Sequence, residues 1–170
     1  MASLLCLVLF GPFALADRSA LEQQLEHRRW TLNDNSPTQI GALAESTDGY
    51  LWLGTHDSLY RFDGFDFTNY RTPDGQELGT VSSLLASDAG LWVGLRNGGV
   101  HLIRAAEAPP DSFDLARGVI YALARTADGS IWAAANDGLM RFEGENWQQM
   151  GHTHGFLGSN AYSVFVDRDN

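Results

Sequence analysis

The chain has 170 residues, and three of its tryptophans, Trp52, Trp92 and Trp132, are separated by equal intervals of 40 residues. Each sits in a similar stretch. The first is Asp48-Gly49-Tyr50-Leu51-Trp52-Leu53-Gly54-Thr55, the second Asp88-Ala89-Gly90-Leu91-Trp92-Val93-Gly94-Leu95, and the third Asp128-Gly129-Ser130-Ile131-Trp132-Ala133-Ala134-Ala135. A fixed period of this size means copies of one supersecondary unit. Each copy is too small to bury its own apolar face and must stack on the next.

The unit can be read strand by strand. Upstream of each tryptophan is an apolar pair three residues apart: Ile40 and Leu43, Val81 and Leu84, Ile120 and Leu123. On a strand such residues point to opposite faces, so each of these strands is expected to be buried on both sides. Asp48-Gly49 is a hairpin signal, since Gly accepts positive φ and Asp bonds its own backbone. Strands then follow over 51–55, 58–62 and 65–70, with turns at His56-Asp57 and Asp63-Gly64. The second unit turns at Arg96-Asn97-Gly98. Ala89 replaces its turn glycine, and Ser112 to Leu115 is the best candidate for its fourth strand. The third turns at Asn136-Asp137-Gly138 and closes with 146–150. A fourth unit begins at Ala161 and Val164. Arg29 to Leu32 has the look of a short strand, placed to act as the outer strand of a closing blade.

Four short strands per 40 residues predict an all-β fold, a β-propeller of four-stranded blades. A parallel β-solenoid competes, but its coils are usually shorter. The expected units are near 40–71, 81–116, 120–151 and 161–170, within a partial propeller over 28–170. Each tryptophan is expected to pack between neighbouring blades. The small residue two places on (Gly54, Gly94, Ala134) would let the next sheet approach. About three and a half blades leave the ring incomplete, because propellers need four to eight. The chain therefore reads as the N-terminal piece of a longer protein, and in isolation it is expected to associate through its open blade edges.

Residues 1–16 carry no charge and hold the apolar run Leu4 to Phe10, followed by Ala14-Leu15-Ala16. This reads as a signal peptide, too short to span a bilayer. Residues 17–27 read as a tether or short helix, with Leu21 and Leu25 on one face. The only cysteine, Cys6, falls inside the signal-like segment, so a mature chain would have no thiol. The net charge of −10 argues against nucleic acid and anionic membrane surfaces as partners.

The run Asp48 to Thr55, then Leu59-Tyr60-Arg61-Phe62-Asp63-Gly64, then Phe67 and Tyr70, resembles the two-component regulator propeller repeat. The likeness covers Trp30 to Asn170, strongest in the first unit and weakest in the second. It implies an extracytoplasmic sensory propeller, exported to the periplasmic side of a bacterial inner membrane. A transmembrane helix and a cytoplasmic output domain would follow, similar to a histidine kinase (often hybrid) or a diguanylate cyclase. It also implies a small-molecule or glycan ligand, and a homodimer is compatible with it. An exported propeller enzyme such as a streptogramin lyase is the alternative of another class. Its tryptophan is usually followed by Phe-Thr, however, where this chain has Leu-Gly-Thr. A passive adhesion propeller is a third reading.

No catalytic, cofactor or metal motif is expected in this segment. Asp48, Gly49, Trp52, Gly54, Gly90, Trp92, Gly94, Asp128, Gly129 and Trp132 recur with the repeat and are read as structural; one carboxylate per hairpin is too few ligands for calcium. His152-Thr153-His154 lies in a Gly-rich linker with no third ligand nearby. If the module binds a ligand, the turns that break the repeat at one rim are the place: His56, Asp57, Arg96, Asn97, Asn136 and Asp137.

Overall fold

The computed structural model describes residues 28–115 and 117–167. The expected signal peptide, Cys6 and the 17–27 tether lie outside the described residues. The chain divides into two compact units, Met1–Trp30 and Thr31–Asn170. Of the first, Arg28 to Trp30 are described; the Arg28 guanidinium lies 5.4 Å from the centre of the Trp30 ring, a cation–π contact.

The second unit consists of three four-stranded antiparallel sheets, each a meander with its strands in chain order. The first holds β1 (Ala42–Glu45), β2 (Leu51–Gly54), β3 (Leu59–Phe62) and β4 (Phe67–Asn69). The second holds β5 (Val81–Ser87), β6 (Gly90–Leu95), β7 (Gly99–Ile103) and β8 (Asp111–Asp114). The third holds β9 (Ile120–Arg125), β10 (Ile131–Ala135), β11 (Gly138–Glu143) and β12 (Asn146–Met150). The first strands of successive sheets, β1 beside β5 and β5 beside β9, are neighbours. The sheets therefore fan out from an axis as propeller blades, with β1, β5 and β9 innermost. Among the described residues no helix is long and apolar enough to cross a membrane.

The core lies between blades rather than within them. Trp52, Leu59 and Tyr70 of the first blade bury themselves against Val81, Leu91 and Leu95 of the second. Trp92, Val100 and Leu102 of the second do the same against Ile120, Ile131 and Met140 of the third. Trp92 meets Phe142 edge-on at 5.0 Å and Trp147 at 5.8 Å. Such pairs add about 0.5–1.5 kcal/mol each beyond the area they bury. The blades come this close because the second strand carries glycine at the contact. A Cβ on Gly94 would lie 2.7 Å from Ile120 Cγ2 and closer still to Ser83 Oγ.

Two expectations are corrected, and two details of the repeat are added. First, Arg29 to Leu32 is not a strand. Leu32–Asp34 is a 3-10 turn with Thr31 as its N-cap, because Asp34 accepts the Thr31 N–H at 2.8 Å and Thr31 Oγ1 accepts the Asn33 N–H at 3.3 Å. Second, the Ile40–Leu43 pair is not buried on both faces: Ile40 is 44% exposed and Leu43 59%, against 3% for Val81 and 0% for Ile120. Val81 and Ile120 are covered by the preceding blade, and no described blade precedes β1. Third, the hairpin of the second blade is one residue tighter than the others. Ser87 pairs with Gly90, which leaves Asp88 and Ala89 as the turn, and the positive φ (131°) falls on Gly90 at the start of the second strand. Fourth, residues 161–167 carry no assigned strand, while Ala161 is buried and its N–H reaches the Ala135 carbonyl at 3.0 Å, as the Val81 N–H reaches the Thr55 carbonyl.

Candidate rim site

The second-to-third-strand turns of all three blades lie at the rim where the inner strands begin, because each blade is an antiparallel meander. His56-Asp57, Arg96-Asn97 and Asn136-Asp137 therefore share one rim. They do not share one pocket.

His56 and Arg96 do. They line a pocket of about 300 Å³, at the lower end of small-ligand sites. Its floor is built where the ladders of the second and third inner strands slip by one residue. Val81 and Ile120 are buried between blades, and the next residues, Ser82 and Tyr121, are left unpaired on the second strand by a register shift; both line the pocket with Gly41, which immediately precedes the first inner strand. Gln39 and Thr80, each just before an inner strand, complete its polar wall. Gln39 has φ 54, one of two left-handed non-glycine residues among those described.

Much of this wall is already hydrogen-bonded. Thr80 Oγ1 donates to the His56 carbonyl, and the Thr80 carbonyl accepts the Arg96 N–H at 3.1 Å. This ties the turns of the first two blades together through one linker residue. Ser82 Oγ donates to the Ile120 carbonyl at 2.7 Å, which links the second inner strand to the third. Tyr121 reaches Asn136 Oδ1 at 3.4 Å and packs on the Tyr162 ring at 5.0 Å. His56 Nδ1 lies 3.5 Å from Asp57 Oδ1, with both side chains exposed. The Arg96 guanidinium has no ion-pair or hydrogen-bond partner among the described residues.

The remaining rim residues are occupied elsewhere. Asn97 Oδ1 caps the Gly99 N–H at 3.2 Å and borders a separate groove. The Asn136 N–H donates to the Val119 carbonyl at 3.1 Å, and its own carbonyl accepts Asn160 Nδ2 at 2.6 Å. Asp137 Oδ2 accepts the Arg117 N–H at 2.8 Å. These two residues fasten the linkers on either side of the third blade.

The recurring residues sit at the hairpins and between blades. The loop containing Asp48 and Gly49 closes where Ser46 N–H bonds the Tyr50 carbonyl at 2.9 Å. Ser46 Oγ then accepts the buried Trp52 Nε1–H at 3.1 Å, and Ser87 Oγ accepts that of Trp92 at 3.2 Å. In the third blade, Thr126 bonds Asp128, whose hairpin includes Gly129 at φ 87. Arg141 stacks on Trp132, 5.5 Å from the ring centre. The Asp128 carboxyl is held down at about 2 by the Thr126 hydroxyl, then by Ser130 and Arg141. Among the described residues no cluster of three or more His, Cys, Asp or Glu could hold a metal.

The sequence reading missed Gln39, Thr80, Ser82 and Tyr121. Ser82 and Tyr121 each follow a core residue of an inner strand but sit at a register shift, which the apolar spacing of the repeat does not reveal. Gln39 and Thr80 lie in linkers without such a periodicity.

Residues 32–57 match the model of the two component regulator propeller family. No curated protein sequence matches the chain. Among solved structures, the fold is similar to the extracellular domain assigned to the hybrid two component system BT3049 of B. thetaiotaomicron, with TM-score 0.68 and 12% identity over 80% of this chain and 22% of that one. It is also similar to the extracellular domain assigned to the one component system BT4673 of the same organism, with TM-score 0.61 and 19% identity over 78% of this chain and 18% of that one. The Neurospora crassa Pan2 WD40 domain is a further likeness, with TM-score 0.50 and 17% identity over 62% of this chain and 35% of that one. The chain thus spans about a fifth of the length of the two bacterial domains.

Proposed function

From the premise that this chain carries the two component regulator propeller repeat, matched over residues 32–57, we propose that it is part of an extracytoplasmic sensory propeller of a membrane-bound signal-transduction protein. The repeat match carries the reading. Support comes from the blade architecture, from the likeness to the extracellular domain of a hybrid two component system, and from a rim pocket whose arginine has no partner among the described residues. The propeller catalyses nothing. It binds a small molecule or glycan at the rim, and the occupied state is passed through a membrane span to a cytoplasmic output domain, a histidine kinase.

Two experiments test this. Alkaline phosphatase fused after residue 167 folds into an active form only outside the cytoplasm; activity is expected, and its absence overturns the location. The intact gene is expected to encode one apolar span and a kinase domain. A cyclase in that place corrects the output class, and a full ring followed by a stop codon with no span overturns the sensor reading.

A further inference from the structure

We infer that the rim pocket selects a ligand that carries a negative charge and several hydroxyl groups, with Arg96 as the residue that binds the charge. The inference rests on the reading that the rim binds a ligand, and it specifies the chemistry.

The chain has 21 acidic and 11 basic residues, yet the pocket shows the opposite balance. None of the ten residues that line it is Asp or Glu, while Arg96 and His56 both are among them. The carboxylate of Asp57, next to His56 in the same turn, lies 3.5 Å from the His56 imidazole. Arg141, Arg125, Arg104 and Arg71, by contrast, each hold a carboxylate within 3.4 Å. Among the described residues Arg96 is a cation without a counter-charge at a concave site, and a guanidinium presents a planar fork of donors that matches a carboxylate.

The hydroxyl requirement follows from which hydrogens are already used. Thr80 and Ser82 donate theirs to the carbonyls of His56 and Ile120, and Tyr121 is directed at Asn136. Their oxygens retain lone pairs, so toward the pocket these groups accept and do not donate. A ligand must then bring O–H donors to the inner-strand wall and an anionic acceptor to Arg96. A sugar acid has both; a neutral sugar lacks the charge, and a simple anion such as acetate lacks the donors.

The test measures binding to the full chain by calorimetry, with three matched pairs: D-galacturonate and D-galactose, D-glucuronate and D-glucose, D-mannuronate and D-mannose. Acetate is the control for charge alone. At least one acid is expected to bind tenfold or more tighter than its neutral partner and than acetate, equivalent to about 1.4 kcal/mol. Arg96→Gln, at an exposed position, is expected to fold as the parent does and to abolish that preference. The Arg96 Nε–H resonance should shift on titration with the acid alone. Neutral sugars binding as tightly as the acids, or an acid preference that survives Arg96→Gln, overturns the inference and leaves the ligand-binding reading standing. Acetate matching the best acid removes the hydroxyl requirement. Failure of all the sugars and acids to bind overturns both readings.

Discussion

Gly54→Ala, made alone and in combination with Val81→Ala, tests whether the distance between blades is set by the residue pair at their contact. A Cβ on Gly54 would lie 2.9 Å from Val81 Cβ, nearer still to its Cγ1, and 3.2 Å from Ala42 Cβ. Carbon atoms settle at about 3.5–4.0 Å, so blades one and two must move apart or deform. Overpacking of this kind costs about 1–3 kcal/mol. Val81→Ala alone removes two buried methyl groups, about 0.8 kcal/mol each, and leaves a cavity, for about 2–3 kcal/mol in all. In the double variant the new methyl occupies part of the vacated space and the worst clash is absent. The loss should therefore fall short of the sum of the singles by about 1 kcal/mol. The chain contains the small–small version of this contact. Val81 N–H bonds the Thr55 carbonyl at 3.0 Å, and Ala161 N–H bonds the Ala135 carbonyl at 3.0 Å. The residues preceding those carbonyls are Gly54 and Ala134, so a glycine faces the valine and an alanine faces the alanine. Urea unfolding followed by tryptophan fluorescence is the assay, since Trp52 reports from the same interface. Additivity within about 0.5 kcal/mol would refute the reasoning.

Ser46→Ala removes the acceptor for Trp52 Nε1 and should cost about 1–3 kcal/mol in the same assay, because a buried donor is left unpaired. The Asp128 carboxyl has a lower pKa folded than unfolded, so its contribution is complete above about 4 and is lost as pH falls toward about 2. Melting temperature should therefore fall over that window, and less so in Asp128→Asn. Burial lowers the pKa of the His101 imidazole from its usual 6.5, with Asp114 opposing. A depressed histidine favours the folded state above the unfolded pKa and disfavours it as pH falls, so His101→Gln should flatten the loss of melting temperature between pH 7 and pH 5.

The blades were legible in the sequence because every blade solves the same packing problem. The tryptophan, the small residue two places on and the hairpin glycine recur for that reason, and even the irregular outer strand of the second blade falls where Ser112 suggested, at Asp111–Asp114. What was not legible depends on neighbours. The Ile40–Leu43 pair has the pattern of a doubly buried strand, but burial on one side is supplied by another blade, and the local sequence does not record whether one is there. Thr31 to Asp34 shows the complementary failure. A β-branched and aromatic run suggested a strand, yet the threonine hydroxyl and the aspartate three residues on cap a 3-10 turn.

The rim site was half legible, for a related reason. The turn between the second and third strands has one backbone shape to make in each blade, and polar residues can make it while also bonding elsewhere. Six side chains were therefore candidates on turn composition alone. The structure separates them by what their bonding groups already hold. Asp137 fastens a linker N–H, Asn136 bonds through its backbone N–H and carbonyl and meets Tyr121, and Asn97 caps its own turn. His56 has its neighbouring carboxylate. Among the described residues, Arg96 alone of those six has a side chain with no hydrogen bond or ion pair, and it shares its pocket with the Thr80 and Ser82 hydroxyls, whose hydrogens are committed. A donor hydrogen already held by the fold must be released before it can bind a ligand. The residue spared from structural bonding is therefore the one free to bind, and spacing in the sequence gives no sign of that freedom.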